Sequence, residues 1–188
     1  EVVKASRAHF VGLSRGAGIA LSFAAAHPDK TDSVFAMCPS FDQARLMPEF
    51  VDQGLEVMAT LRAEGLRAAK EKWLSLPVFA PALENEEVAA KIDQMMLSYT
   101  GAHWLDNESP RDLSLGDAAP AIKARTRILV GERDHAGFHA CADELAGKIE
   151  GAAKIDVPGV GHLISLEASD ETTSAIEAFV ANRAPEAA

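Results

Sequence analysis

The stretch Gly12-Leu13-Ser14-Arg15-Gly16 places a serine between two glycines in the pattern G-x-S-x-G. Residues 8–11 before it are apolar and predict a strand, and the small-residue run at 17–26 predicts a helix that ends before Pro28. A serine in this pattern occupies a sharp strand-to-helix turn, where the strand and the helix approach closely and neighbours without side chains are favoured. The stretch therefore predicts a nucleophile elbow with Ser14 as the nucleophile.

Strand and helix patterns alternate along the rest of the chain, except in its middle. Four segments predict strands, at residues 8–11, 33–37, 127–130 and 153–157, and further helices are predicted at 139–149 and 171–182. Strands that alternate with helices form parallel sheets covered by helices. We therefore predict an α/β fold whose core is a parallel sheet built from residues 1–40 and 123–188.

The middle of the chain, residues 41–122, lacks the strand pattern and shows helical spacing instead. One of its predicted helices carries Met95, Met96 and Tyr99 on an apolar face, and Asn85 is placed to cap that helix. A helical insertion between two strands of one sheet predicts a cap over the core. Its methionine-rich face either lines an adaptable apolar pocket or packs on the core.

Two residues after later strands complete a candidate catalytic set. A serine hydroxyl needs a base that takes its proton and an acid that orients this base. Asp134 follows the strand at 127–130, at the end of a parallel sheet where catalytic groups gather. Glu132 is an alternative acid, but its side chain would face another direction. His162 follows the last predicted strand and a glycine-containing turn, in which glycine permits the backbone that projects the imidazole over a site. The apolar run at 163–166 is expected to bury its flank.

The chain order Ser14, Asp134, His162 is the order of nucleophile, acid and histidine in α/β-hydrolases. With the segments at 9–16, 129–134 and 158–163, the chain resembles the cap-bearing branch of that superfamily, which includes enol-lactone hydrolases, carboxylesterases and carbon–carbon bond hydrolases. The resemblance implies that the backbone N–H of Arg15 is one oxyanion donor. It also implies strands before the nucleophile, whereas here the nucleophile follows the first predicted strand. We therefore expect an N-terminally incomplete sheet, a missing second oxyanion donor and an exposed apolar strand edge.

These features favour a serine hydrolase that cleaves a small ester or lactone through an acyl-enzyme, with no metal and no organic cofactor. Two alternatives stay open: a carbon–carbon bond hydrolase of the same fold, and a non-catalytic ligand-binding protein or inactive fragment on this scaffold. A phosphate-binding loop at the glycines is disfavoured, because the spacing is not G-x-G-x-x-G and no G-K-[ST] follows.

Four residues are candidates for contacts with a substrate. Tyr99, His103 and Trp104 lie near the end of the predicted cap helices, where aromatic rings either touch a bound molecule or pack within the cap. The Arg15 guanidinium, beside the nucleophile, either binds a carboxylate of the substrate or is solvated or paired within the fold.

The composition restricts the partners. The 188 residues are 48% hydrophobic, enough for a sizeable core, and the formal net charge of −10 argues against nucleic acid and anionic membranes. No apolar run reaches the roughly 18 residues of a membrane span. Cys38 and Cys141 lack metal-ligand spacing and predict ordinary core thiols in a reducing cytoplasm. The expected partner is a small-molecule substrate, and a second copy of the chain could cover the sheet edge.

Overall fold

The computed structural model describes residues 5–105 and 115–181. In these residues four strands form one parallel sheet in chain order: β1 Ala8–Leu13, β2 Thr31–Met37, β3 Arg125–Gly131 and β4 Ala153–Val157. All four predicted strands and the predicted α/β class are confirmed.

The described helices surround this sheet and connect its strands. They are α1 Arg15–Ala26, α2 Gln43–Leu46, α3 Pro48–Glu64, α4 Leu66–Leu74, α5 Ala80–Leu83, α6 Glu86–Ser98, α7 Ala102–Leu105, α8 Leu115–Ala118, α9 Ala136–Lys148, α10 Ile164–Glu167 and α11 Ser169–Val180. Two of the three crossovers run through a single α-helix, α1 or α9, and step along the sheet in the same direction. Right-handed crossovers then put these two helices on one face of the sheet.

The three helices predicted around the sheet all begin earlier than expected, and α1 begins at Arg15, two residues before the predicted start at 17. Helix α9 begins three residues before the predicted start at 139, because His135 acts as its N-cap and its Nδ1 accepts the N–H of Gly137 at 3.0 Å. Histidine is not among the residues that usually cap helices, so this start carries no sequence signal. Helix α11 begins at Ser169, two residues before its predicted start, and the last residue of its predicted range, Asn182, lies outside the described residues.

Between β2 and β3 the described residues form helices and no strand, as expected for a cap. Asn85 caps α6 as predicted, and its Oδ1 accepts the N–H groups of Glu87 at 3.0 Å and Val88 at 3.2 Å. The two methionines of α6 do not share one apolar face as predicted. Met96 packs against apolar clusters of the cap, whereas Met95 is 61% exposed.

The core lies between the sheet and its helices. Strand β2 is buried along most of its length, whereas β1 and β4 occupy the two edges of the described sheet. On β1, Val11 is 45% exposed, so the expected exposure of this strand is confirmed. None of the helices in residues 5–105 and 115–181 combines the length and the apolar character that crossing a bilayer requires.

Candidate active site

Ser14 lies on a strained turn between β1 and α1. Its backbone has φ +54° and ψ −120°, a conformation that residues other than glycine rarely adopt and that costs of order 1–3 kcal/mol. The Ser14 N–H donates to the carbonyl of Met37 at the end of β2, at 2.8 Å. The strain is therefore held by the neighbouring strand, and the predicted strand-to-helix turn is confirmed.

The glycines around Ser14 have different roles. A Cβ on Gly12 would lie 2.5 Å from the carbonyl carbon of Gly16 and 2.6 Å from the backbone nitrogen of Ala17, so only glycine lets the strand and the helix come this close. A Cβ on Gly18 would clash with the carbonyl of Ser40. At Gly16 a Cβ would meet nothing within 4 Å. The expectation that both glycines of the motif prevent a steric clash is thus right for Gly12 and wrong for Gly16.

The acid and the histidine form a buried pair. Asp134 lies in the turn after β3, and His162 lies in the loop after β4. The Nδ1 of His162 is 2.9 Å from Oδ2 of Asp134, and their side chains are 6% and 0% exposed. The backbone N–H of His135 donates to the other carboxylate oxygen at 2.7 Å. With Nδ1 donating to the acid, Nε2 is the nitrogen that is free to take a proton.

The sheet register brings the serine to the same end of the sheet as this pair, the end formed by the carboxyl ends of the strands. Leu13 pairs with Met37, Met37 pairs with Leu129, and Leu129 pairs with Ile155, so the carboxyl ends of the strands are aligned. Ser14 follows the first of these ends directly. Among the described residues Ser14 Oγ makes no hydrogen bond to His162; such bonds are often long in the absence of substrate and tighten in the reacting complex.

The imidazole of His162 packs against apolar residues. The ring centroid of Phe138, on α9, lies 4.1 Å from that of His162. His162 is 5% exposed and Ile164, in the apolar run after it, is fully buried. The glycine with the unusual backbone is Gly159, at φ +73°, and not Gly161 directly before the histidine. Gly161 is required for another reason, because a Cβ there would lie 2.7 Å from the Pro81 ring.

Cys38 lies beside the acid, a position that the sequence did not indicate. It follows β2 directly, and its N–H donates to the carbonyl of Leu129 at 2.7 Å. Its Sγ, a carboxylate oxygen of Asp134 and a ring nitrogen of His162 lie within 4.8 Å of one another. Burial, and then the charge of Asp134, raise the pKa of the Cys38 thiol well above its ordinary value. Two members of this trio, His162 and Asp134, already bond to each other, and the thiol lies next to that bond.

Two further residues were predicted near the site, Glu132 as an alternative acid and Arg15 as an oxyanion donor. The carboxylate of Glu132 is used elsewhere: its Oε2 accepts the N–H of Gly159 at 2.8 Å, whereas His162 bonds to Asp134. Arg15 is the first residue of α1, so its backbone N–H belongs to the first turn, whose N–H groups have no acceptor within the helix. The Arg15 side chain is exposed.

The cap touches the turn of the acid. The guanidinium of Arg133 donates to both carboxylate oxygens of Glu84, at 2.8 Å and 2.6 Å, and this pairing lowers the pKa of Glu84. Nearby, Leu163 and Leu166 pack against the cap cluster of Ala82, Val88 and Ile92. The segment around α5 therefore contacts both the acid turn and the histidine loop.

The three candidate substrate residues belong to the cap. Trp104 is 4% exposed, and its ring lies 5.7 Å from Trp73 and 5.1 Å from Tyr99. Burial also raises the pKa of Tyr99. The side chain of His103 lies outside the described part of the structure. A role of these residues in substrate binding stays a prediction.

Solved structures with this fold include two lactone-related proteins. The enol-lactonase from Burkholderia xenovorans LB400 is 26% identical, with a TM-score of 0.76 over 95% of this chain and 67% of that chain. Est816, an N-acyl homoserine lactone degrading enzyme, is 25% identical, with a TM-score of 0.72 over 94% of this chain and 69% of that chain. A hydrolase from Pseudomonas aeruginosa PA01 is 22% identical, with a TM-score of 0.77 over 95% of this chain and 66% of that chain, and shows the likeness of fold.

No curated protein matches the chain significantly. The profile of the alpha/beta hydrolase family matches residues 2–175, nearly the whole chain and both segments that form the sheet. The chain therefore belongs to the alpha/beta hydrolase family.

Proposed function

We propose that this chain carries the nucleophile, acid and base of a serine hydrolase that cleaves a small carboxylic ester or lactone. One observation carries the proposal: the buried hydrogen bond of 2.9 Å between His162 Nδ1 and Asp134 Oδ2. This bond leaves Nε2 as the proton acceptor. It lies at the carboxyl ends of the strands, where the strained Ser14 also lies. Acyl transfer requires a base held in one orientation and a serine presented on a sharp strand-to-helix turn.

The reaction then proceeds in two halves. Ser14 Oγ attacks the carbonyl carbon while His162 Nε2 takes the hydroxyl proton, and the Arg15 N–H donates to the developing oxyanion. The imidazolium, stabilised by Asp134, gives its proton to the leaving alcohol oxygen as the ester C–O bond breaks. Water, deprotonated by His162, attacks the acyl-enzyme, and Ser14 regains its proton as the carboxylic acid departs. Each step uses groups of the protein and water, so no cofactor is invoked.

The substrate class is supported by the relatives and the cap. Two of the similar structures are named for lactones, and a lactone is an intramolecular ester open to the same attack. Aromatic rings extend from the histidine toward the cap, with Phe138 against Phe50 at 5.7 Å and Phe50 against Trp73 at 6.0 Å. Such rings favour an apolar acyl or ring portion of a small substrate.

Covalent labelling tests the catalytic assignment. Intact-mass spectrometry after treatment with a fluorophosphonate is expected to show a single adduct, because only an activated serine reacts with this probe. The adduct is expected to disappear in Ser14→Ala and to persist in Ser169→Ala, a matched control at an exposed serine in the last helix. Labelling that survives in Ser14→Ala would contradict the assignment, and no labelling of the parent chain would favour a ligand-binding protein or an inactive fragment.

A substrate panel separates the two hydrolytic reactions. We expect turnover of p-nitrophenyl esters and simple lactones, each lost in Ser14→Ala. A vinylogous diketone, whose cleavage releases a carboxylic acid from a carbon–carbon bond, is expected to be a poor substrate. A strong preference for the diketone would favour carbon–carbon bond hydrolysis.

A further inference from the structure

The backbone on both sides of His162 is held by one carboxylate. Glu167, the last residue of α10, is partly buried, and its Oε2 accepts the N–H of Gly161 at 2.7 Å. Its Oε1 accepts the N–H of Leu163 at 2.9 Å. Both oxygens are thus bonded to the two residues that flank the histidine.

Other contacts hold the same loop from different sides. The carbonyl of Gly161 approaches Gly131 so closely that a Cβ on Gly131 would clash with it, and the Pro81 ring lies over Gly161. The N–H of Arg133 donates to the carbonyl of Val160 at 2.9 Å. These contacts fix the loop before the histidine. Within the described structure, Glu167 is the side chain that bonds to the backbone on both sides of it.

The imidazole itself has one polar partner on its Nδ1 side, Asp134, and that bond sets only the tautomer and the ring orientation. The position of the ring relative to Ser14 depends on the backbone of His162, which the flanking N–H groups anchor. We infer that Glu167 is a positioning residue for the general base: it keeps His162 where Nδ1 meets Asp134 and Nε2 stays available for the proton of the serine. This inference rests on the proposed function for its catalytic meaning, but its geometry can be tested separately.

Glu167→Gln is the variant that tests this role. The amide has nearly the same size, but it has a single acceptor oxygen and turns an NH₂ group toward one of the two N–H donors. We expect fluorophosphonate labelling of Ser14 to slow by about 10- to 100-fold, the loss that a small displacement of a catalytic group produces. Glu171→Gln, at an exposed glutamate in α11, is the matched control and is expected to label at the parent rate.

A spectroscopic signature separates positioning from a merely structural role. The proton that His162 Nδ1 donates to Asp134 gives a low-field ¹H resonance, which we expect in the parent chain and in Glu171→Gln. In Glu167→Gln we expect it to broaden or vanish while the melting midpoint stays within a few degrees of the control. Glu167→Asp is the second variant should the first fail to fold; it keeps the charge but is too short to reach both N–H groups, and the same loss is expected.

The two proposals fail in distinguishable ways. If the parent chain is not labelled at all, the serine-hydrolase proposal fails, and the resonance still decides whether Glu167 positions His162. If Glu167→Gln, or Glu167→Asp in its place, keeps both the low-field resonance and the parent labelling rate, Glu167 only caps the short helix α10 and the inference is overturned.

Discussion

The serine side and the histidine side of the candidate site are built in different ways. On the serine side, the strained Ser14 lies in the turn after β1, an edge strand of the described sheet, and its neighbours are half-buried or exposed. On the histidine side, Asp134 and His162 are almost completely buried, and their loops are bonded to strand ends and to Glu167.

The difference shows which kind of constraint each group needs. Most of the constraint on the nucleophile comes from a strand, a turn and a helix that are consecutive in the chain, with one hydrogen bond from the Ser14 N–H to β2. A general base must be placed relative to an acid 28 residues away, so its position depends on contacts between separate segments. The serine side should therefore be sensitive to backbone substitutions, and the histidine side to the loss of individual polar partners.

The largest effect is expected from Asp134→Asn, which tests the histidine side. The amide can present its NH₂ to Nδ1 and favour the wrong imidazole tautomer, so we expect labelling of Ser14 to fall by about 10⁴-fold, the loss typical of a triad acid. Asp93→Asn, at an exposed aspartate of α6, is the control and should label normally. A loss of less than tenfold in Asp134→Asn would mean that the buried pair does not act as the base.

A pair of glycine substitutions tests the serine side. Gly12→Ala puts a Cβ 2.5 Å from the backbone of Gly16, and we expect it to lower the free energy of unfolding by about 1–3 kcal/mol. Gly16→Ala meets no atom within 4 Å and replaces a glycine in a helix, so a gain of up to about 1 kcal/mol is expected. Urea unfolding of both variants measures the difference. Equal effects would show that the close approach of β1 and α1 does not restrict this turn.

The last prediction concerns the alkaline stability of the buried thiols, which acts on the stability of the fold and leaves the candidate triad in place. The pKa of Cys38 lies well above its ordinary 9.0, and burial raises the pKa of Cys141 to about 11. The unfolded chain ionises these thiols near pH 9 while the folded protein keeps them protonated. The stabilisation by the protonated thiols is therefore complete below pH 9. Above pH 9 each thiol loses about 1.4 kcal/mol per pH unit, and for Cys141 this loss ends near its folded pKa of about 11.

Two alanine variants separate these contributions. In the parent chain we expect the free energy of unfolding to fall between pH 9 and pH 11. Cys38→Ala and Cys141→Ala should each make this fall less steep, because each removes one of the two thiols that cause it. Urea unfolding at several pH values measures the slope. Cys141 lies away from the acid and serves as the reference. A fall in Cys38→Ala as steep as in the parent would mean that water reaches the acid side of the site.

Much of the fold followed from the sequence because its signals are local. Three strands contain a short apolar run, and β4 alternates apolar and charged residues. In the cap, Asn85 directly precedes the periodic helix that it caps. The start of α9 was missed because a histidine caps it. The role of Gly16 was misjudged because a glycine in a motif does not reveal which of its neighbours approaches it.

The candidate triad followed from chain order and turn chemistry, whereas its supporting residues did not. Glu167 is an ordinary glutamate in sequence, and only the return of α10 toward Gly161 and Leu163 gives its carboxylate two N–H donors. Cys38 looked like a core thiol, which it is, but the sheet register also places it beside Asp134. Pro81 lies over the histidine loop from a segment 80 residues earlier in the chain than Gly161.

By itself the sequence determined the elements, their order and the identity of the three candidate catalytic residues, because strand, helix and turn preferences act over neighbouring residues. Only the tertiary structure decided how the base is held, which glycine prevents a clash and where the cap meets the site. Those properties depend on strand register and on the packing of segments far apart in the chain, and a linear pattern carries no direct signal of either.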